Sequence, residues 1–308
     1  MESKWLEDFV SLAETRSFSK SAELRHVTQP AFSRRIRALE SWLGGDLVDR
    51  TVFPTRLTPA GERFLTHAIA LLAAVHNARA EVRGESPLPQ DTVRFALPHT
   101  LALTFFPRWL AGVEAGFGAV SSRLTATNVH DAVMALVEGH CDLLICYHHA
   151  RQPVQLDPAR YEMLVLGSER LRPYAAPAQR GVARFALPGR AGTPLPYLAY
   201  SPNAYLARMA DLVLEAAPRR AQLKKVYETD MAEGLKVMAL EGHGVAFLPE
   251  SAVTREVAQG LLCAAGDENW TVVMEIRMYR ERRAGAGFVD RLWRHVRDAA
   301  PGRHAQSA

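Results

Sequence analysis

The sequence predicts a multidomain α+β protein with three parts: an N-terminal winged helix-turn-helix, a long linker helix and a C-terminal two-lobed α/β domain. The first part is indicated by a capped amphipathic segment, Thr28–Glu40, which follows two shorter helical segments. The second is indicated by an apolar repeat at helical spacing from Phe64 to Val82. The third is indicated by alternating strand and helix patterns that contain a weak internal repeat.

Thr28–Glu40 has the pattern of the second helix of a helix-turn-helix. Thr28 suits the cap position and Pro30 suits the first turn. Three apolar side chains recur at helical spacing and form a buried face: Phe32, Ile36 and Leu39. The opposite side carries polar residues: Gln29, Ser33, Arg34 and Arg37. Gln and Arg make bidentate contacts to purine edges, and the three arginines at 34, 35 and 37 bring charge for phosphates, so this helix predicts DNA binding.

The flanking segments complete the motif. Leu6–Ala13 predicts a first helix, Ser19–Leu24 a short second one, and Arg25–Val27 the tight turn that follows. Leu47–Arg50 and Arg56–Thr58 predict a two-stranded wing over the phosphate backbone. The alternative is a helical bundle with a solvated basic face, since residues 15–63 hold nine Lys or Arg against five Asp or Glu. Cap, turn, buried face and polar face all agree better with DNA binding.

Over its first 60 or so residues the chain closely resembles the N-terminal domain of LysR-type transcriptional regulators. The resemblance rests on five segments: Phe18–Ala22, Val27–Glu40, Leu43–Gly44, Leu47–Arg50 and Leu57–Gly61. It implies that base edges are met by Gln29, Pro30, Ser33 and Arg34. It implies that phosphates are held by Ser19, Arg37 and Arg50.

A linker helix is predicted to begin near Thr58 and to run about 25 residues, to Gly84. Such a helix has no core of its own to bury against, so we expect a homodimer through it. The two recognition helices then address half-sites about 34 Å apart or a multiple of that. Residues 85–91 predict a hinge. The chain is therefore divided into residues 1–58 (winged helix-turn-helix), 59–91 (linker helix and hinge) and 92–308 (two-lobed domain).

Length and composition limit the other functions. The chain has 308 residues, a net charge of +4 and three cysteines without CxxC or zinc-type spacing. No GxSxG, HExxH, P-loop or dinucleotide-binding motif occurs, so we expect no enzyme activity, no cofactor and no metal. No signal peptide or transmembrane run is recognisable, so a cytoplasmic location without a membrane partner is expected.

The remaining chain alternates strand and helix patterns. The strand candidates are Val93–Leu97, Leu124–Thr127, Leu143–Cys146, Met163–Leu166, Tyr197–Tyr200, Val226–Glu228, Val245–Leu248 and Val272–Tyr279. The helix candidates are Phe105–Val113, Asp131–Val137, Ala204–Leu214, Ala232–Leu240 and Phe288–Asp298. This order predicts a doubly wound α/β unit with helices on both faces of mostly parallel sheets.

An internal repeat predicts two similar lobes. A shift of 103 residues superposes Glu138–His140 on Glu241–His243, and it also superposes Asn128 on Met231. Ligands bind beyond the carboxyl ends of strands in such sheets, where helix N-termini point N–H groups into the crevice. The residues expected to face an interlobe cleft are His99, Thr100, Asn128, His130, Tyr147, Ser201, Asn203, Thr229 and Met231.

The resemblance to LysR-type regulators extends over this part through Gly139–Ile145 and Gly242–Pro249. It implies an effector domain of two lobes like those of periplasmic binding proteins, a small organic anion as the default effector, and dimers that pair into tetramers. Double-stranded promoter DNA is then the partner. The distant alternative is a small-molecule-binding α/β module that does not regulate DNA.

Several stretches look like the hypochlorite-responsive branch of this family: Lys4–Leu6, His99–Leu101, Tyr200–Tyr205 and Ala246–Glu250. Met231 lies where that branch has an oxidisable methionine. Leu206 departs from the pattern, because a second methionine is expected there and Met209 is only nearby. Methionine oxidises reversibly to a polar sulfoxide, so oxidant sensing through Met231 is expected, with a small anion as the alternative signal and a gap-filling Met231 as the structural alternative.

Overall fold

The N-terminal part folds as a winged helix-turn-helix in the computed structural model, which describes residues 2–52, 55–82, 91–179, 181–282 and 287–299. The helices are α1 (Ser3–Thr15), α2 (Phe18–Leu24) and α3 (Gln29–Leu43), and the wing strands are β1 (Val48–Asp49) and β2 (Arg56–Leu57). The wing strands pair antiparallel. Helix α4 (Pro59–Val82) follows and is the expected linker helix. The predicted hinge at 85–91 lies outside the described residues apart from Asp91.

Local sequence helps to set the starts of α2 and α3. The Ser17 hydroxyl caps α2 by accepting the Lys20 N–H at 3.4 Å. Helix α3 carries Pro30 in its first turn as predicted. Thr28 occupies its cap position with extended backbone, although its side chain makes no capping hydrogen bond to the described residues. The recognition helix therefore begins where the sequence predicts, without the expected hydroxyl cap.

The core of the helix-turn-helix lies between α1, α3 and α4. Phe9, Phe32, Ile36 and Leu39 are fully buried, as the helical spacing predicts. The rings of Phe9 and Phe64 lie 5.6 Å apart and join α4 to this core. Full burial of one such side chain contributes about 1.5–3 kcal/mol, so these contacts hold the recognition helix in a fixed orientation.

The described residues from 93 to 299 form two lobes that share one continuous sheet. Lobe I contains β3 (Val93–Pro98), α5 (His99–Thr104), α6 (Phe106–Phe117), β4 (Ser122–Thr127), α7 (Val129–Val137) and β5 (Leu143–His148). The chain crosses through β6 (Tyr161–Ala175). Lobe II contains β7 (Pro177–Gln179), β8 (Val182–Ala183), β9 (Leu195–Tyr200), α8 (Tyr205–Ala216), β10 (Leu223–Thr229), α9 (Ala232–Leu240), β11 (Val245–Pro249), α10 (Glu250–Ala258) and β12 (Cys263–Ala264). Strand β13 (Val272–Glu281) returns to lobe I, where α11 (Phe288–Ala299) follows.

The strand order is β10-β9-β11-β6-β13-β5-β3-β4, with β12 paired to β6. In this sheet, pairing is parallel within each lobe and antiparallel wherever β6 or β13 takes part. The two long crossing strands therefore fuse the lobes into a single mixed sheet. Strands β7 and β8 form a separate antiparallel pair in lobe II. The sequence predicts only Met163–Leu166 of β6, because the polar run 168–170 and Arg172 interrupt the apolar pattern.

The predicted internal repeat is present in the structure. Helices α7 and α9 end at equivalent residues, and the glycines that follow adopt the same left-handed backbone, with φ of 74° at Gly139 and 78° at Gly242. The next residues close the same helix end, since His140 N donates to Ala135 O at 2.7 Å and His243 N donates to Met238 O at 3.1 Å. Equivalent positions of the two lobes can therefore be compared directly.

Candidate nucleic-acid interface and interlobe cleft

Helix α3 presents the predicted base-contacting side chains to solvent. Gln29, Pro30, Arg34 and Arg37 are exposed, and Ser33 is half-buried. The helix axis is fixed by its buried face, so these side chains need no rearrangement of the domain to approach a groove. A helix with exposed Gln and Arg near its N-terminus fits the major groove, where both side chains read purine edges.

Arg35 differs from its neighbours and points into the domain. Its Nη1 lies 3.2 Å from Oδ2 of Asp8, whose side chain is fully buried. Arg25, in the turn before α3, donates from Nε to the other oxygen of Asp8 at 3.0 Å. The expectation that three arginines serve phosphates is therefore wrong for Arg35. Asp8 is the residue in the sequence that could have indicated this inward position, because an acid on the buried face of α1 requires a charged partner.

The predicted phosphate contacts outside α3 come from α2 and the wing. Ser19 is exposed in the first turn of α2. Arg50 follows β1, and its Nη2 lies 2.6 Å from Oε2 of Glu40. Its guanidinium also lies over the Phe18 ring, 5.8 Å from the centroid. These contacts hold the Arg50 side chain in one position, while a third of its area remains open to a phosphate.

The boundary between the lobes, beyond the carboxyl ends of the parallel strands, is the place where the sequence predicts an effector cleft. Strands β9 and β10 end side by side, since Ser201 N donates to Thr229 O at 2.9 Å. The lobes touch across the cleft, where the Tyr147 ring of lobe I stacks on the Tyr205 ring of lobe II with centroids 6.3 Å apart. The Tyr205 hydroxyl also donates to Gln152 O at 3.1 Å. These two contacts join lobe I to lobe II at this boundary.

Two buried tyrosine hydroxyls in this region have no hydrogen-bond partner among the described residues. They belong to Tyr147, at the end of β5, and Tyr200, at the end of β9. Burial raises the pKa of both phenols well above the ordinary value, with neighbouring acidic groups such as Glu169 acting on Tyr147 in the same direction. Buried polar atoms are almost always paired in folded proteins, so these two hydroxyls are exceptions at the boundary between the lobes.

Glu169 is a cleft residue that the sequence reasoning missed. It is buried on β6, where its carboxylate accepts from the Ser251 hydroxyl and from Ser251 N at 3.2 Å. The Ser251 hydroxyl oxygen lies 3.1 Å from Thr104 Oγ1, so this group links α5 of lobe I to α10 of lobe II. Burial raises the pKa of Glu169, while the contacts with Ser251 lower it. An internal carboxylate thus occupies the N-terminus of α10, and no sequence motif marks it.

The equivalent helix starts of the two lobes differ in their caps. Asn128 caps α7, since its Oδ1 accepts the Asp131 N–H at 2.9 Å. Met231 holds the same position before α9, where no side chain of the described residues caps the helix. The Met231 side chain is 43% exposed and its N–H donates to Thr229 Oγ1 at 3.4 Å. At this exposure, Met231 does not lie in the buried core of lobe II.

The other predicted cleft residues differ in burial, and one of them faces another domain. His99 is exposed and Thr100 is buried at the start of α5, and Asn203 is exposed before α8. His130 faces the helix-turn-helix instead, lining a cavity of about 230 Å³ together with Arg25. Burial lowers the pKa of its imidazole. Local patterns do not predict this neighbour, because the contact joins residues from two domains.

The described residues contain no cluster of three or more potential metal ligands. All three cysteines are free thiols, and Cys141 and Cys146 are buried. Among the described helices, none is both long and apolar enough to cross a membrane.

A winged helix-turn-helix with a polar recognition helix, joined through a long helix to a two-lobed ligand-binding fold, defines a DNA-binding regulator. Residues 3–62 match the family described as bacterial regulatory helix-turn-helix protein, lysR family, and residues 86–301 match the LysR substrate binding domain. The chain belongs to the LysR family of transcriptional regulators, which are not enzymes.

Individual relatives agree with this assignment. The chain is 33% identical to the HTH-type transcriptional regulator YjiE of Escherichia coli over 300 residues, which covers 97% of this chain and 95% of the relative. The full-length structure of HypT from Salmonella typhimurium, a hypochlorite-specific LysR-type regulator, is 31% identical with a TM-score of 0.59 over 97% of this chain and 98% of that one. The DNA complex of Vibrio fischeri DarR is 31% identical with a TM-score of 0.61 over 96% and 98% of the chains.

Proposed function

We propose that this LysR-type regulator responds to a hypochlorite-type oxidant through Met231 and answers by changing its contacts with promoter DNA. The observation that carries the proposal is the exposed thioether of Met231 at the uncapped start of α9. The similar HypT chain, a hypochlorite-specific regulator, supports the choice of oxidant. Buried methionines such as Met209, Met274 and Met278 are shielded by the core.

The reaction needs only the oxidant and the thioether. Sulfur donates an electron pair to the chlorine of hypochlorous acid, hydroxide leaves, and water then displaces chloride from the chlorosulfonium. The sum is one sulfoxide, one chloride and one proton for each hypochlorous acid consumed. Methionine sulfoxide reductases reverse the change, so the signal is erasable.

The helix start explains how oxidation acts on the fold. The first N–H groups of a helix have no partner within it, and an apolar cap residue leaves them to water. In lobe I the Asn128 carbonyl already satisfies one such group. A sulfoxide oxygen on Met231 brings an acceptor to the equivalent place in lobe II, so oxidation favours a different position of the residue 229–231 loop at the cleft.

The output follows from the oligomer that we propose. Two chains pair through α4, and two such dimers form a tetramer on promoter DNA. A change in lobe position then alters the spacing between recognition helices, while Gln29, Pro30, Ser33 and Arg34 keep reading bases. Ser19, Arg37 and Arg50 keep holding phosphates.

The test is footprinting of the purified full chain on DNA upstream of its own gene, before and after a short hypochlorite pulse at one salt concentration. The expected result is a protected pattern that shifts with oxidant and reverts with methionine sulfoxide reductase. Met231→Leu should not shift, and Met231→Gln, a neutral polar mimic of the sulfoxide, should give the shifted pattern without oxidant. Met163→Leu is the matched control, because Met163 is similarly exposed on β6. A full response in Met231→Leu would overturn the proposal.

A second candidate signal is a small organic molecule, of which an anion is the family default, bound in the cleft. The unpartnered hydroxyls of Tyr147 and Tyr200 favour it. Glu169 and Asn128 already use the N–H groups of α10 and α7, which leaves fewer donors for a carboxylate. Calorimetry with small carboxylates and polyols, repeated on Tyr200→Phe, tests this signal separately from oxidation.

A further inference from the structure

Equivalent residues of the two lobes differ in burial at the ends of α7 and α9. Glu138 closes α7 and Glu241 closes α9 at equivalent positions. Glu241 is exposed, as a charged residue at a helix end normally is, whereas Glu138 is only 8% exposed. The helix-turn-helix covers α7 and accounts for this difference.

Three basic residues of the helix-turn-helix meet polar groups of lobe I. Arg25 Nη1 lies 3.9 Å from Glu138 Oε1. Arg16 Nη2 lies 3.2 Å from Oδ2 of Asp157, in the segment between β5 and β6. From the same segment, the Gln155 side-chain oxygen accepts from Lys20 Nζ at 3.1 Å. The charges are complementary, since the helix-turn-helix supplies the cations and lobe I supplies both carboxylates.

The two domains meet through these polar contacts and also through apolar side chains of one shared cluster, to which the helix-turn-helix contributes Leu12 and lobe I contributes Leu136. A cavity of about 1030 Å³ opens between them, lined on one side by Leu12, Arg16 and Ile69 and on the other by Leu156 and Asp157. The partners Arg16 and Asp157 keep 54% and 41% of their side chains exposed. Contacts of this kind are individually weak and exchange readily with water and salt.

The basic residues also lie next to a predicted DNA contact. Lys20 adjoins Ser19 in the first turn of α2, and Arg16 precedes the same helix. Phosphate oxygens and carboxylate oxygens attract the same side chains by the same charge-assisted hydrogen bonds. Helix α3, in contrast, keeps Gln29, Arg34 and Arg37 exposed.

We propose that the acidic surface of lobe I formed by Glu138, Gln155 and Asp157 docks on the basic edge of the helix-turn-helix of the same chain and competes with DNA phosphates for Arg16 and Lys20. Release of this contact strengthens binding to all DNA without altering which bases are read. The docking links lobe I mechanically to the DNA-binding domain. The docking proposal rests on the DNA-binding role of the family and not on the identity of the signal. Failure of the Met231 proposal would therefore leave the docking proposal unaffected.

The first experiment measures binding of the full chain to a cognate duplex and to a random duplex of equal length. The variant is Glu138→Gln with Asp157→Asn. The measurement is made at about pH 8, above the raised pKa of Glu138, so that both carboxyl groups are ionised in the parent. Loss of the two ionic contacts is then expected to raise the affinity for both duplexes by about tenfold, because each such pair contributes up to about a factor of five. The ratio of the two affinities should stay unchanged.

A matched control separates docking from the general effect of removing negative charge. Glu241→Gln with Asp211→Asn changes the net charge equally, at exposed positions of lobe II. We expect less than a twofold gain for this control. Equal gains for both double variants, or no gain for the lobe I variant, would overturn the proposal.

A second experiment tests the contact itself and does not require the first double variant to fold. Lys20→Cys and Gln155→Cys are introduced with Cys263→Ser, because Cys141 and Cys146 are buried and Cys263 is only partly so. A short bismaleimide should join the new cysteines within one chain and lower DNA affinity, as judged by denaturing gel and binding assay. Failure to cross-link, or linkage only between two chains, contradicts docking within the chain.

Discussion

Glu40 and Arg50 tie the recognition helix to the wing. Arg50 Nη2 lies 2.6 Å from Glu40 Oε2, and Oε1 of the same buried carboxylate accepts the backbone N–H groups of Leu47 at 3.0 Å and Val48 at 3.2 Å. One side chain thus fixes the direction of β1 and the position of the arginine that follows it. The wing therefore has its orientation set from inside α3.

Glu40→Ala should destabilise the helix-turn-helix by about 2–4 kcal/mol, because it leaves two buried N–H groups and one arginine without their partner. Urea unfolding followed by tryptophan fluorescence measures the change. Ser41→Ala, at the exposed neighbouring position, is the control and should stay within about 0.5 kcal/mol of the parent. Equal stability of Glu40→Ala and the parent would show that the wing is held by other contacts.

Arg34 and Arg50 should affect DNA binding in different ways. Arg34→Ala is expected to cost about 1–3 kcal/mol on the cognate site and to relax preference at one or two base pairs. Arg50→Ala is expected to weaken all duplexes about equally and to reduce the salt dependence of binding. Titrations on cognate and random duplexes at several salt concentrations distinguish the two roles. Identical losses on both duplexes for both variants would contradict this division.

Gly61 illustrates a constraint that no helical pattern contains. A Cβ at Gly61, in the first turn of α4, would collide with the Leu47 carbonyl oxygen of the wing. Gly61→Ala should therefore destabilise the protein by about 1–3 kcal/mol, as other overpacked sites do. Gly112→Ala, in α6 with open space around it, should instead stabilise by about 0.5–1 kcal/mol. Thermal unfolding of the two variants in parallel measures whether each substitution lowers or raises the unfolding temperature. Shifts in the same direction for both variants would contradict the steric role of Gly61.

Patterns within a segment predicted most of this fold, and contacts between segments supplied the rest. The spacing of Phe32, Ile36 and Leu39 predicts which face of α3 is buried, because helix geometry alone fixes it. The inward turn of Arg35 depends on Asp8, which is 27 residues away and belongs to another helix. The 103-residue repeat predicts both lobes. The repeat does not predict β6, which crosses between the lobes. The faces of this strand are only partly covered, so it carries polar residues that interrupt the apolar pattern.

The candidate cleft residues divide in the same way, into those that local patterns predict and those that depend on contacts between segments. Positions after strands predict Tyr147, Asn128 and Met231, since the carboxyl ends of parallel strands meet at one edge. Glu169 lies in the middle of a strand, and its role arises from the Ser251 hydroxyl in another lobe. The displacement of His130 toward the helix-turn-helix also depends on how two domains meet. Such relationships require the three-dimensional arrangement.

The environment of Glu138 predicts a dependence of stability on pH. Burial raises the pKa of Glu138 to about 7 from 4.5, with Glu7 and Asp131 acting in the same direction and Arg25 acting against it. His140 Nδ1 lies 3.4 Å from Glu138 Oε2 and also faces this carboxyl group. The folded protein therefore holds this proton more tightly than the unfolded chain does.

The sign of the effect follows from linkage. A raised pKa contributes stability that is fully present below pH 4.5 and is lost as the pH rises through 7, up to about 3 kcal/mol in total. Glu138→Gln cannot titrate, so the stability of the parent relative to this variant should fall steadily between pH 5 and about pH 8. Urea unfolding at several pH values measures the difference, and repeating it in a His140→Gln background removes the neighbouring imidazole. A flat profile for Glu138→Gln would mean that the Glu138 carboxyl is hydrated and that the helix-turn-helix does not cover it in solution.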